Sequence, residues 1–195
     1  SLAANSVGVK AYIVMPSNAT EIKKVAVKGY MGELIECEPN LSAREKKSIE
    51  IQESTGATFI HPSNDLDVIL GQGTACKELL EEHNDLNYIF TPVGGGGLIA
   101  GSALAAKYFG SNCSVIGAEP YEVDDAYRSL KSGRIEKNSS TNTIADGLKT
   151  ELGDINFQII KKEINQIIRV TEKEIIESMK IIWERLKIVC EPSCA

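Results

Sequence analysis

The sequence predicts an α/β fold, a parallel sheet divided between two lobes, and three observations carry that prediction. Short apolar segments recur along the 195 residues, each followed by a polar stretch with helical spacing. A proline stands at or just past the end of each apolar segment: Pro16, Pro39, Pro62, Pro92 and Pro120. Proline cannot continue a ladder, so these mark strand exits. One apolar segment runs straight into four consecutive glycines and then into an apolar helix. Ligands of open parallel sheets bind along the rim at the carboxyl ends of the strands, so the chemistry is expected there.

In chain order, strands are expected at residues 11–15, 34–37, 58–60, 88–93 and 114–118. Residues 20–30 place Ile22, Val25, Ala26 and Gly29 on one helical stripe. Ser42-Ala43-Arg44-Glu45 has the form of a capping box and opens a helix running to Glu53. Residues 131–142 are polar and rich in Gly, Ser and Asn, the composition of a surface loop. Thr171-Glu172-Lys173-Glu174 is a second capping box. It opens an amphipathic helix with Ile175, Ile176, Met179, Ile182, Trp183, Leu186 and Val189 at spacings of three and four, which assigns those side chains to the core. The lobes are expected to divide near Ser63 to Asp67, with residues 1–63 in the smaller, substrate-side lobe and 64–195 in the larger, ligand-binding one.

The glycines Gly94, Gly95, Gly96 and Gly97 read as a phosphate cradle. Residues without Cβ let the backbone approach a ligand, each still presents an N–H, and the following helix adds its positive dipole end. A mononucleotide loop would end in Gly-Lys-Ser/Thr, and Leu98 and Ile99 stand there instead. Two readings stay open. Gly95-Gly96-Gly97-Leu98-Ile99-Ala100 fits the dinucleotide fingerprint G-x-G-x-x-A, with Glu119 about 20 residues on. A phosphate monoester, such as pyridoxal phosphate or a sugar phosphate, fits as well.

Composition bounds the rest. With 43% hydrophobic and 25% charged residues the chain belongs with folded globular proteins, and at this length about 70% of the unfolded surface is buried. No apolar run approaches a membrane span, and a net charge of −6 argues against a nucleic-acid surface. Five cysteines, an odd number without a C-x-x-C, read as reduced thiols and so as a cytoplasmic protein. Of the two histidines, His61 beside Pro62 reads as a hydrogen-bonded structural residue and His83 as solvated, which leaves no Ser-His-Asp or Cys-His arrangement.

Three further stretches could carry chemistry. Glu119-Pro120-Tyr121-Glu122-Val123-Asp124-Asp125 gathers four carboxylates, a density that suits Mg²⁺, Ca²⁺ or Mn²⁺; a solvated helix start accounts for it equally. Thr143-Ile144-Ala145-Asp146-Gly147 ends in an Asp-Gly turn that brings backbone close to a ligand or reverses the chain. Glu191, just after the last helix, is unfavourable with the helix dipole and invites a partner.

Taken in order, Ala11-Tyr12-Ile13-Val14-Met15-Pro16, Ala43-Arg44-Glu45, Ile60-His61-Pro62, Gly71-Gln72-Gly73-Thr74, Pro92-Val93-Gly94-Gly95-Gly96-Gly97, Ala118-Glu119-Pro120, Thr143-Ile144-Ala145-Asp146-Gly147, Trp183-Glu184-Arg185 and Glu191-Pro192-Ser193 resemble the serine racemase and serine/threonine dehydratase family. These are pyridoxal-phosphate enzymes of the tryptophan-synthase-β fold, and the resemblance spans essentially the whole chain. It implies that Gly94, Gly95, Gly96 and Gly97 hold the cofactor phosphate, and that Gly147, Glu191 and Ser63 lie near the cofactor. It implies that Arg44 faces a substrate carboxylate, and that Glu119, the Val123 carbonyl and Asp125 hold a divalent cation, Mg²⁺ above all. Tyr30 and Lys187 match positions linked to ATP as an effector at a homodimer contact. The implied substrate is L-serine, with L-threonine beside it. Removal of the Cα proton and its return on the other face give D-serine, while loss of the β-hydroxyl gives pyruvate and ammonia. The resemblance places the family's Schiff-base lysine upstream of Ser1 and the pyridine-nitrogen partner downstream of Ala195. The expected fold is therefore incomplete at both ends, no catalytic residue is expected within the 195, and the chain alone is expected to be inactive. A non-catalytic truncated paralogue that binds ligand or a full-length partner stays open beside the enzyme.

Overall fold

The structure, a computed structural model, describes residues 1–195 apart from the Leu41 side chain. It comprises two compact units, Ser1–Phe59 and Ile60–Ala195, so His61 to Ser63 pack with the second.

The first unit holds α1 (Leu2–Ser6), β1 (Tyr12–Pro16), α2 (Glu21–Gly29), β2 (Glu33–Cys37) and α3 (Leu41–Thr55). β1 and β2 pair in parallel from Tyr12 opposite Glu33 to Pro16 opposite Cys37, so both strands end at the same rim. There the buried Lys24 reaches from α2 to the Ser17 carbonyl (2.8 Å) and to Glu36 (2.7 Å), clamping the strand exits together. Asn40 rather than Ser42 begins α3. Its side-chain oxygen accepts from the Ala43 N–H at 2.8 Å, so the helix starts before the expected capping box, because asparagine ranks with the strongest N-caps. The segment expected as a strand at 58–60 pairs with no strand of either sheet. β-propensity without a ladder partner does not make a strand.

The second unit holds α4 (Leu66–Glu82), β3 (Tyr88–Pro92), α5 (Gly97–Phe109), β4 (Ser114–Pro120), α6 (Asp125–Ser132), α7 (Asp154–Glu163), β5 (Ile167–Val170) and α8 (Glu172–Ile181). Its sheet runs β3-β4-β5, all parallel, with Pro92 and Pro120 closing their strands as the sequence predicts. The core lies here. Ile69 and Leu80 of α4, Ile99, Ala100, Ala103 and Ala106 of α5, and Phe157 and Ile160 of α7 are buried together. α4 packs on α5 at glycine distance, since a Cβ on Gly73 would stand 2.7 Å from the Gly101 carbonyl oxygen. That contact explains the Gly71-Gln72-Gly73-Thr74 stretch.

The last helix departs from expectation. Both halves of the Thr171–Glu174 capping box form, but α8 gives way after Ile181 to a π-helical turn over Ile182–Leu186, closed by Lys187 at φ 58°. A π turn advances the side chains more slowly around the axis than a spacing of three and four assumes. Of the side chains expected as core only Ile175 is buried; Met179 and Ile182 are half-buried, and Ile176 (54%), Trp183 (67%), Leu186 (63%) and Val189 (90%) are exposed.

Candidate functional site

The site forms around the start of α5. Gly96 occupies the N-cap with φ 90°, a conformation glycine adopts without strain, and no side chain caps the helix. A helix N-terminus without a capping side chain directs its first N–H groups and its positive end at one point.

The remaining glycines are required by close approach rather than by φ. A Cβ on Gly94 would lie 3.0 Å from the Gly147 carbonyl oxygen and 3.2 Å from Thr150 Oγ1. One on Gly95 would collide with Ser63 Oγ, and one on Gly97 would lie 3.1 Å from the Ser63 carbonyl oxygen. Next to Gly147, a Cβ there would lie 3.0 Å from Ser193 Oγ and 3.6 Å from Glu191 Oε1. Gly94, Gly95, Gly96, Gly97, Ser63, Gly147 and Glu191, drawn from four separate stretches of sequence, thus meet in one place. Ser193 Oγ is buried there without a hydrogen-bond partner among the described residues. Backbone cradle, uncapped helix start and orphaned hydroxyl are what an anionic, polar cofactor such as pyridoxal phosphate would use.

Two residues that sequence reasoning passed over hold this cluster from behind. Asn156, fully buried, donates to the carbonyls of Ser63 (2.9 Å) and Gly95 (2.6 Å). Asn64 caps α7, its Oδ1 accepting from the Ile155 N–H at 3.0 Å. His61 Nδ1 accepts from the backbone N–H groups of Ser63 (3.2 Å) and Asn64 (2.8 Å), the structural role its sequence context suggests. Asn64 and Asn156 have no local signal beyond residue type, because the groups they bond are 61 to 93 residues away.

The acidic stretch resolves into two parts. Asp124 is neutralised by Arg128 (2.7 Å) and Arg169 (2.9 Å), with Arg169 also stacked 4.1 Å from the ring centres of Tyr121 and Tyr127. Glu119 and Asp125, 1% and 0% exposed, have no ion pair among the described residues. Glu119 accepts from the N–H groups of Ala126 (3.1 Å) and Tyr127 (2.8 Å), Asp125 from Asn138 Nδ2 (2.7 Å) and the Leu152 N–H (2.9 Å). Burial, helped by the neighbouring Asp125, pushes the Glu119 carboxyl up to about 8, and burial likewise raises Asp125. Two buried carboxylates without a basic partner suit a divalent cation, since buried charges are stable when paired or when they coordinate metal. Among the described residues no third Asp, Glu, His or Cys joins them, so carbonyl oxygens such as that of the buried Val123, and water, would complete the sphere. Asn138 shows that residues 131–142 are more than a surface loop: 131 and 132 finish α6, and Asn138 grips Asp125.

Of the other expected site residues, Arg44 and Tyr30 belong to the first unit and Lys187 to the second. Arg44 is half-buried near the start of α3, with no ion pair among the described residues. Tyr30 is exposed beyond α2, and Lys187 is exposed with its Nζ on the Glu184 carbonyl (2.8 Å).

The sequence matches the family "Pyridoxal-phosphate dependent enzyme" over residues 1–195. The chain belongs to this family. Within the pyridoxal-phosphate dependent enzymes it is 47% identical over 189 residues to a serine racemase of Dictyostelium discoideum, covering 96% of this chain and 58% of that protein. It is 43% identical over 195 residues to a beta-hydroxyaspartate dehydratase of Paracoccus denitrificans, covering 100% of this chain and 62% of that protein. The structure of maize serine racemase superposes with a TM-score of 0.96 at 42% identity, over 98% of this chain and 58% of that one. The chain thus spans about three fifths of the length of these relatives, and its parallel α/β fold is that of the pyridoxal-phosphate dependent enzymes. The dinucleotide reading of the glycine loop gives way to this membership. No helix among the described residues is long and apolar enough to cross a membrane.

Proposed function

We propose that the protein acts with pyridoxal phosphate on L-serine, interconverting its enantiomers and eliminating water to give pyruvate and ammonia. L-Threonine is a second substrate for the elimination. The observation that carries this is the convergence of Gly94, Gly95, Gly96 and Gly97 with Ser63, Gly147 and Glu191 at the uncapped start of α5. When bound, pyridoxal phosphate draws electrons from the substrate Cα and makes its proton removable. The chain's own contribution is to bind and orient. The N–H groups of the glycine loop and the first turn of α5 receive the phosphate, with the helix dipole behind them. Gly147, Ser63 and Glu191 line the adjoining space, and Arg44 receives the substrate carboxylate as a bidentate partner. Glu119, the Val123 carbonyl and Asp125 hold Mg²⁺, or Ca²⁺ or Mn²⁺ in its place. The burial of these two carboxyl groups with no basic partner among the described residues supports that assignment. We further propose a cytoplasmic homodimer. Five free cysteines support the compartment. The exposure of Tyr30 and Lys187 supports ATP as an effector at the contact between copies.

A second substrate, 3-hydroxyaspartate, is favoured by the 43% identity with the Paracoccus dehydratase. The test is incubation of the protein purified from its native source with pyridoxal phosphate, Mg²⁺ and either L-serine or 3-hydroxyaspartate, followed by chiral separation and keto-acid assay. D-Serine and pyruvate from serine are expected, with reduced rates in EDTA. Oxaloacetate alone would transfer the assignment to the acidic substrate. Cofactor binding without turnover of either would leave the non-catalytic paralogue.

A further inference from the structure

We infer that Asn156 is a positioning residue of the phosphate cradle, one that sets the direction of the glycine-loop peptide without touching the ligand. Its side chain is 0% exposed and lies under the loop, with Cβ 3.0 Å from where a Gly96 Cβ would stand. Nδ2 donates to two carbonyls from separate stretches, Gly95 at 2.6 Å and Ser63 at 2.9 Å, and so ties the loop before α4 to the loop before α5. A trans peptide points its C=O and its N–H in opposite directions. With the Gly95 carbonyl held inward by Asn156, the Gly96 N–H is turned outward, to join the uncapped N–H groups at the start of α5. The Gly153 N–H also reaches the Gly95 carbonyl, but at 3.5 Å, so without Asn156 only that longer bond opposes a flip of the peptide, and a glycine on each side tolerates either orientation.

A second observation separates this role from mere packing. Asn156 Oδ1 is buried and has no hydrogen-bond partner among the described residues. An orphaned buried oxygen is a cost that an apolar side chain of the same size would not carry. The amide's donor end, with its two bonds, offsets it.

This inference rests on the proposed cofactor site, and its test is chosen to fail separately. Asn156→Thr retains one donor, Asn156→Ala none, and Asn156→Asp keeps the shape but replaces the donor with a carboxylate that repels both carbonyls. Affinity is measured for pyridoxal phosphate by equilibrium dialysis and for inorganic phosphate by competition, with circular dichroism as the check on folding. The expected order is wild type, Thr, Ala, Asp, with Ala weakened about tenfold in both ligands, as the loss of one to two hydrogen bonds implies. The ³¹P resonance of bound pyridoxal phosphate is expected to shift in each variant. Unchanged affinities in Ala, or an Asp variant that binds like wild type, would overturn the inference. Should Asp fail to fold, Thr against Ala carries the comparison. If the unaltered protein binds no pyridoxal phosphate, the cofactor proposal falls, and Asn156 is judged by inorganic phosphate alone. If neither ligand binds, both fall.

Discussion

At the start of α7 the N-cap is Gly153, which has no side chain to offer, and Asn64 supplies the missing acceptor from 91 residues away while its Nδ2 holds Asp154 at 2.7 Å. Asn64→Ala should cost about 1 kcal/mol, the usual worth of an N-cap, in urea unfolding; a change within 0.3 kcal/mol of zero would show that water replaces it. Glu119 makes a prediction about pH. Its folded carboxyl titrates at about 8 against an ordinary value near 4.5, so the folded state keeps a proton that the unfolded chain releases. In metal-free protein the Glu119 contribution is therefore fully present below pH about 4.5, and it is lost as pH rises to about 8. Denaturant titrations in EDTA across that window should show stability falling with pH, and saturating Mg²⁺ should flatten the slope. The same slope with and without the cation would remove Glu119 from the proposed metal site.

Among the elements, the α4–α5 pair is where glycine substitutions should part most clearly. A Cβ on Gly101 would collide with the Ile69 carbonyl and lie 2.6 Å from the Gly73 backbone nitrogen, whereas one on Gly71, two residues before Gly73 in α4, would meet nothing within 4 Å among the described residues. Gly101→Ala should destabilise by about 2 kcal/mol or more, because backbone on both helices must move apart. Gly71→Ala should stabilise by about 0.5–1 kcal/mol through helix propensity alone. Paired thermal or urea unfolding curves check both signs; equal effects would mean that the helices do not pack this closely. At α8, Thr171 and Glu174 exchange hydrogen bonds as a capping box should, yet of the apolar stripe only Ile175 is buried, with Met179 and Ile182 half-buried and Ile176 exposed before the π turn begins.

On the scale of the whole molecule, the two units are unequal. Every buried hydrophobic side chain among the described residues belongs to the second unit, and in Ser1–Phe59 only Lys24 is buried. Amides of β3, β4 and α5 should therefore exchange hydrogen slowest, and those of β1 and β2 much faster, since opening free energy follows buried apolar contact. Uniform protection across both units would contradict this. The strand, glycine loop and helix from Tyr88 to Phe109, the strand exits at Pro16, Pro92 and Pro120 and the Thr171–Glu174 box were legible in the sequence because each signal acts within a turn or two of chain. The absence of Cβ, a missing N–H or a capping oxygen has the same effect in any fold. The helix Leu66–Glu82 was not, because its glycines look like a loop until Gly101 packs against them. Nor was the convergence of Ser63, Gly95 and Gly147, or the role of Asn156, visible without the fold. Burial and long-range pairing depend on which elements come to lie side by side, and the exposed Trp183 shows that even a regular apolar stripe leaves that undecided. By itself the sequence determined where the glycine loop lies between its strand and its helix, because that signal is local; the tertiary structure alone decided which remote side chains pack against it and bond to it.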